Sequence, residues 1–222
     1  MKTPDPQSIQ PPRLPKKPSR ESLMFLSDGG QAEGVSWRGA DLAGVQAAHI
    51  LLERVSFRRV VMLNARLPGA RMIDARLDAT DLSGADLEGS KLTRVELLGC
   101  RLLGTQFIGS RLEDVVFRKG NCQGAVFAES TLKSVRFESC NLSLSSFEGA
   151  ELDAVVFHAC DLTNADLRQA KLEGTDFRGS SIGGVQVGAR ELKGAIIEPA
   201  QAVQIVSLLG VRVVGPAEDS MG

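Results

Sequence analysis

Thr80-Asp81-Leu82-Ser83-Gly84 is followed directly by Ala85-Asp86-Leu87-Glu88-Gly89, and Ala165-Asp166-Leu167-Arg168-Gln169 by Ala170-Lys171-Leu172-Glu173-Gly174. Both stretches repeat with a period of five. Working outward from them, the register runs from Val35 to Pro199 without insertion or deletion, giving 33 consecutive units over 165 residues. Leu or Phe fills the central position in 25 of the 33 units, and the other eight are Trp37, Ala47, Met62, Met72, Cys122, Ile182, Val187 and Ile197, none of them charged. Two residues earlier, 31 of 33 units carry Ala, Val, Ser, Thr, Cys or Gly, with Ile50 and Arg190 as exceptions. Eight of the nine Phe fall on central positions, so the repeat marks the core.

A period of five fits neither the 3.6 of an α-helix nor the 2 of a plain strand. It fits a short extended piece followed by a corner, with a large and a small residue pointing inward and the polar or Gly positions facing water in turns. A superperiod of twenty gives the number of sides. Central positions 57, 77, 97, 117, 137, 157 and 177 read Phe, Leu, Leu, Phe, Phe, Phe, Phe, and Phe107, Phe127 and Phe147 lie ten positions off that column. Leu fills most of the two columns between. Four units then close one turn, with Phe on two opposite walls. Val35, Val55, Val95, Val115, Val135 and Val155 share one small-residue column, and Ser90, Ser110 and Ser130 another. Like residues would stack between coils at about 4.8 Å, and eight coils would make a rod of roughly 40 Å.

The pattern over residues 35–199 resembles the pentapeptide-repeat family, whose motif is A-(D/N)-L-x-x. The resemblance implies an all-β solenoid, a right-handed quadrilateral β-helix of about eight coils with a short C-terminal capping helix. The twenty-residue superperiod reaches the same shape independently.

A solenoid must close its ends or expose core and unpaired backbone. Residues 1–20 read as a disordered Pro-rich tail and 21–34 as an N-terminal cap, plugged by the apolar Leu23-Met24-Phe25-Leu26. The repeat proper is 35–199, and 200–214 reads as a helix-plus-strand cap before a short tail, 215–222. Ala202, Ile205, Val206 and Leu209 recur at helical spacing, Gly210 is a stop signal, and Val211 to Val214 look like a strand. Those four helical residues are the candidates for a cap that also dimerises; a C-terminal helical dimer module is similar to what the bacterial quinolone-resistance members of the family carry. Arg190, in an inward slot, suggests a last coil already opening.

Catalysis needs converging reactive groups. The two histidines, His49 and His158, sit at outward turn positions many coils apart, and no nucleophile elbow, phosphate loop or zinc spacing occurs. No enzyme, metal or cofactor is expected. Cys100, Cys140 and Cys160 occupy small inward slots and Cys122 a central one on the same wall, which reads as buried packing, since thiols pack as small hydrophobes.

The net charge of −1 gives no global field for nucleic acid or membrane. There is no apolar run long enough to span a bilayer and no secretory leader, so a cytoplasmic location is expected. Residues 35–119 carry 13 basic and 10 acidic groups, residues 120–199 carry 7 and 11. Candidate interaction residues are Arg54, Arg58 and Arg59 toward the basic start and Glu151, Asp161, Asp166 and Asp176 toward the acidic end. Direct nucleic-acid binding through Arg54, Arg58, Arg59, Arg66, Arg71 and Arg76 is disfavoured, because no aromatic interleaves them for base stacking. The first reading is a non-catalytic rigid scaffold for an unidentified protein partner. The alternative, implied by the resemblance to the quinolone-resistance members, is a DNA-mimicking modulator of DNA gyrase, although a mimic should offer carboxylates at phosphate-like density.

Overall fold

The computed structural model describes residues 9–17, 26–208 and 210–214. Ten strands occur in chain order: β1 (Gln31–Glu33), β2 (Ser36–Arg38), β3 (Leu51–Glu53), β4 (Ser56–Arg58), β5 (Arg71–Asp78), β6 (Lys91–Leu98), β7 (Arg111–Arg118), β8 (Thr131–Glu138), β9 (Glu151–Asp153) and β10 (Val156–His158). One helix, α1 (Pro199–Leu208), follows, and these are the strands and helices among the described residues. All strand pairs are parallel and all step by twenty residues, from Gln31↔Leu51 to Thr131↔Glu151. Isolated bridges at the same step line the other two sides, as in Asp41↔Val61 and Gln46↔Arg66, and carry the register on to Glu151↔Lys171 and Asp176↔Ile196. Pairing at positions 31, 36, 41 and 46 of one turn makes four walls. The column Gln31, Leu51, Arg71, Lys91, Arg111, Thr131, Glu151, Lys171 has eight rungs. The chain is a four-sided parallel β-solenoid.

The corners explain the period. The fifth residue of a unit takes the left-handed conformation, which Gly enters without penalty. Gly84 and Gly104 do so at φ 65° and 62°, but Asn64 (53°), Asn164 (58°) and Leu144 (61°) hold it too. On two walls a tight turn closes each unit, as in Ala85 N–H to Leu82 O at 2.9 Å. The N–H of a corner residue then donates across to the next coil, as in Gly84 N–H to Leu103 O at 2.8 Å. Pairing between coils therefore consumes the backbone groups that a chain bent every five residues would otherwise leave open.

Inside, the central residues fill the rod. Phe117 stacks on Phe137 at 4.6 Å, Phe107 on Phe127 and Phe127 on Phe147 at 4.9 Å, and Phe137 on Phe157 at 5.0 Å. Rings of opposite walls meet edge to face, Phe127 against Phe137 at 5.7 Å, the geometry that the ring quadrupole favours. The expectation of two opposite Phe walls holds. Trp37 continues one stack, 4.9 Å from Phe57.

At the C-terminal end the rod opens where Arg190 leaves the core: Arg190 is exposed and Val187 only half-buried. Helix α1 starts with Pro199 in its first turn, where a missing N–H costs nothing, and beyond its end at Leu208 the chain turns at Gly210 (φ 80°). Ile205 is buried against the last coil. Gln201, also buried, donates from Nε2 to Phe177 O and Ser180 O, both at 2.7 Å, and accepts from Glu198 N–H at 2.9 Å. It satisfies carbonyls that the next coil would otherwise have bound. Residues 211–214, read as a strand, form none: they are exposed, and Val211 N–H turns back to Val206 O at 3.2 Å. At the other end Leu26 packs on the core; Leu23, Met24 and Phe25 of the expected plug lie outside the described residues, as does Leu209.

Candidate functional site

The outward side chains stand in columns of coil-to-coil neighbours; in several columns opposite charges pair between coils, whereas Arg71, Lys91 and Arg111 follow one another in a row of like charge. Arg58 pairs with Asp78 (3.2 Å), Arg76 with Glu96 (2.7 Å), Arg101 with Asp81 (3.7 Å), Arg118 with Glu138 (2.6 Å) and Lys133 with Glu113 (3.5 Å), each twenty residues apart. Arg54 pairs with Glu33, and Lys171 with Glu151. Such exposed pairs contribute little stability, roughly 0–1 kcal/mol each. Their consequence is electrostatic: each carboxylate so held has a cation one coil away, and the wall's field cancels locally.

One pair differs. Asp74 is almost fully buried at a corner (φ 55°) and takes a two-pronged contact from Arg94, Nε to Oδ1 and Nη2 to Oδ2, both 2.7 Å. Asp74 Oδ1 also accepts the backbone N–H of Arg13 at 2.9 Å. The Arg94 guanidinium, aided by the Arg13 amide and opposed by burial, holds the Asp74 carboxyl below the usual range. Arg13 belongs to the segment expected to be a disordered tail. Its described part, residues 9–17, instead lies against the rod, with Pro12, Leu14 and Pro15 half-buried.

Family signatures agree with this geometry. That of the pentapeptide repeat region matches residues 110–187, and that of pentapeptide repeats (eight copies) matches residues 70–107 and 80–119. The chain belongs to the pentapeptide-repeat family. No curated protein matches its sequence. Among solved structures, this pentapeptide-repeat rod is similar to a trypsin-treated form of QnrB1, a plasmid-mediated fluoroquinolone resistance protein, at 20% identity over 84% of this chain and 91% of that one, with a TM-score of 0.51. It is also similar to HetL, a pentapeptide-repeat protein involved in heterocyst differentiation regulation in the cyanobacterium Nostoc sp. strain PCC 7120, at 19% identity over 77% and 90% of the two chains, with a TM-score of 0.42. At these identities the likeness is one of fold.

In the pentapeptide-repeat rod the sequence-selected charges do not converge. Glu151, Asp161, Asp166 and Asp176 fall at steps of five within the twenty-residue turn and so stand on four different walls. Asp161 accepts from Thr163 N–H at 2.9 Å, and Asp166 and Asp176 are gripped by Arg168 and Arg178 two residues on. The Arg168 contact lowers the Asp166 carboxyl pKa. Burial works against ionisation of Asp176, and the Arg178 contacts outweigh it, so that carboxyl too is lowered. At the start of the rod Arg54 and Arg58 are ion-paired, while Arg59 is an exposed corner residue at φ 51°. His49 and His158 are exposed and far apart along the rod.

All four cysteines are buried and free. Burial pushes the Cys100 thiol up to about 12. Contact with Cys140, then burial, raises Cys122 and Cys160. Three of the thiols donate to backbone carbonyls of the coil below: Cys100 Sγ to Leu77 O (3.4 Å), Cys140 Sγ to Phe117 O (3.4 Å) and Cys160 Sγ to Phe137 O (3.3 Å). Among the described residues no cluster of three or more His, Cys, Asp or Glu is placed to hold a metal, and no helix is long and apolar enough to cross a membrane. Of the cap candidates, Ile205 faces the core, and Ala202 and Val206 are half-buried. Exposed on that end are Val203, Leu208, Val211, Val213 and Val214, the last 72% accessible. Sequence reading missed Gln201, Asp74 and Arg13. Only Asp74 left a trace, as an acidic residue at a corner position.

Proposed function

We propose that the chain is a rigid, non-catalytic scaffold that binds a protein partner through the outward faces of its rod. The observation that carries this reading is the unbroken twenty-residue register from Gln31 to Ile196, which sets outward side chains at strand spacing without a mobile insertion. Preorganised surfaces of this kind lose little entropy on binding. Pentapeptide-repeat proteins are generally non-catalytic. The test is affinity capture with the full chain, compared with Arg59→Glu and Asp161→Lys, which alter the surface and leave the core intact. A partner lost on one of the two variants is expected; a partner set unchanged by both, or none with the wild type, would overturn the reading.

DNA mimicry toward gyrase is the weaker reading. The coil-to-coil pairs Arg58–Asp78, Arg76–Glu96 and Arg118–Glu138 weigh against it, since a mimic must present unpaired carboxylates along its length. A supercoiling assay decides: inhibition of gyrase at micromolar protein would restore this reading over the first. Self-association is a separate part of the proposal. The exposed Val203, Val211 and Val213 would be covered by a second copy, and Val211–Val214 would gain the strand partner that one chain does not supply. Sedimentation equilibrium should give a dimer that Val213→Asp returns to monomer; a monomer at 100 µM, roughly the weak end of stable dimers, rules it out.

A further inference from the structure

Residues 9–17 (Ile-Gln-Pro-Pro-Arg-Leu-Pro-Lys-Lys) contain three prolines and three cations and no acid. Pro lacks the N–H that strand pairing needs, so this segment cannot join the sheet as a regular strand, and it forms none. It lies along the rod instead. Pro15 and Lys17 line a groove whose other side is Gln31, Glu33, Leu51, Glu53 and Arg54, in the first two coils. Arg13 reaches Asp74 in the third coil. The segment therefore runs parallel to the rod axis, its earlier residues further from the first coil.

The anchor is a built feature. A carboxylate as buried as that of Asp74 is unfavourable unless hydrogen-bonded and paired. Arg94 fixes its orientation with two contacts, and the remaining capacity of Oδ1 goes to a backbone amide. A backbone amide is offered by any peptide. Half-buried Pro12, Leu14 and Pro15 add the apolar footprint by which extended proline-rich segments are read, with little ordering entropy because the conformation is preset. The wall below carries Glu33, Glu53 and Asp74 against Arg54, Arg71 and Arg94, a charge-neutral surface, so recognition rests on the amide contact and the apolar footprint.

We propose that the wall from Gln31 to Asp74 is a binding site for an extended, proline-rich peptide of a partner protein, and that residues 9–17 cover it in cis as a competing strap. This rests on the scaffold reading and names the chemistry of one of its partners. A short tether holds a segment at an effective concentration of about 1 mM. Against an intrinsic Kd of about 100 µM, that occupancy raises the apparent Kd of a free peptide about ten-fold.

The test uses the full chain and a fluorescein-labelled peptide with the sequence of residues 9–17, read by anisotropy. Arg13→Pro in the chain removes the donated N–H together with the guanidinium and lies outside the rod, so the solenoid is untouched; Arg13→Gln, which removes the charge and keeps the N–H, is the control and should bind the peptide as the wild type does. The peptide should bind the Arg13→Pro chain about ten-fold more tightly than the wild type. A second peptide carrying the same Arg13→Pro change should bind both chains at least ten-fold more weakly than the first. Equal affinity of the first peptide for both chains, or no binding to the Arg13→Pro chain at 1 mM, overturns the proposal. Because no cellular partner enters the assay, its failure removes the groove and leaves the scaffold reading standing.

Discussion

Thr105 Oγ1 donates to Leu82 O at 2.8 Å inside the rod, whereas Thr80, one small-residue slot of the same kind, is equally buried and its Oγ1 has no partner. The two positions are matched in burial and differ in satisfaction. Replacing Thr105 by Val should cost about 1 kcal/mol, the net worth of one buried hydrogen bond. Replacing Thr80 by Val removes an orphaned hydroxyl and should raise stability by about 1 kcal/mol. Urea denaturation of both variants checks the pair; the same sign in both would show that volume, not hydrogen bonding, sets the preference in these small inward slots.

The aromatic stack makes a second prediction. Phe127 is fully buried, stacked on Phe107 and Phe147 and edge-on to Phe117 and Phe137. Phe127→Ala should cost about 3–5 kcal/mol, from lost transfer energy and a cavity that a rigid parallel ladder cannot close. Leu fills the same column at Leu87 and Leu167, so Phe127→Leu should cost only about 1–2 kcal/mol. Equilibrium unfolding monitored by circular dichroism measures both.

These core contacts were legible in the sequence because inward positions obey the repeat: each coil is packed by residues whose identity is constrained every five positions, and stacking couples positions twenty apart. The superperiod of twenty alone pairs Phe117 with Phe137. It does not reveal the groove. Arg13 lies in an aperiodic segment, and its contact with Asp74 is a relation between sixty-one residues of separation and a single backbone N–H that leaves no side-chain signature. Gln201 escaped for a similar reason: a polar residue on a helix read for its apolar stripe binds carbonyls of the last coil. The charged residues misled in the other direction. Asp166 and Asp176 looked like an acidic surface, but their arginines two residues on grip them, and the column geometry puts them on separate walls.

Leu144 stands at a corner in the left-handed conformation (φ 61°), in a column where its neighbours Gly124 and Asn164 are residues that tolerate it, and its side chain is 58% exposed. A bulky side chain there is strained by about 1 kcal/mol, and no burial offsets the strain. Leu144→Gly should therefore raise stability by roughly 0.5–1 kcal/mol, after the greater unfolded-state freedom of Gly is counted. Thermal denaturation provides the readout. If the same variant weakens capture of a partner, the strained leucine is a contact residue; strain kept at a surface position is a mark of function.

The pH dependence follows from Asp74. Its folded-state pKa lies below the ordinary value, chiefly through Arg94, so its ionised form stabilises the fold at every pH above the unfolded value near 4. That stability is lost as pH falls through the lower folded value, because the protonated carboxyl no longer accepts two charged donors. Asp74→Asn should cost about 1–3 kcal/mol at pH 7, the range for a hydrogen bond to a charged group left partly unmet. The difference from wild type should shrink steadily as pH falls below about 4 and through the lower folded value. The Arg13 amide reports the same event locally: its protection, the exchange rate relative to an unstructured peptide at the same pH, should fall over the same interval as the carboxylate is lost. Unfolding curves at half-unit pH steps, run beside amide exchange, separate the two. A constant gap between wild type and variant down to pH 2 would mean that the carboxylate of Asp74 contributes through shape and not through charge.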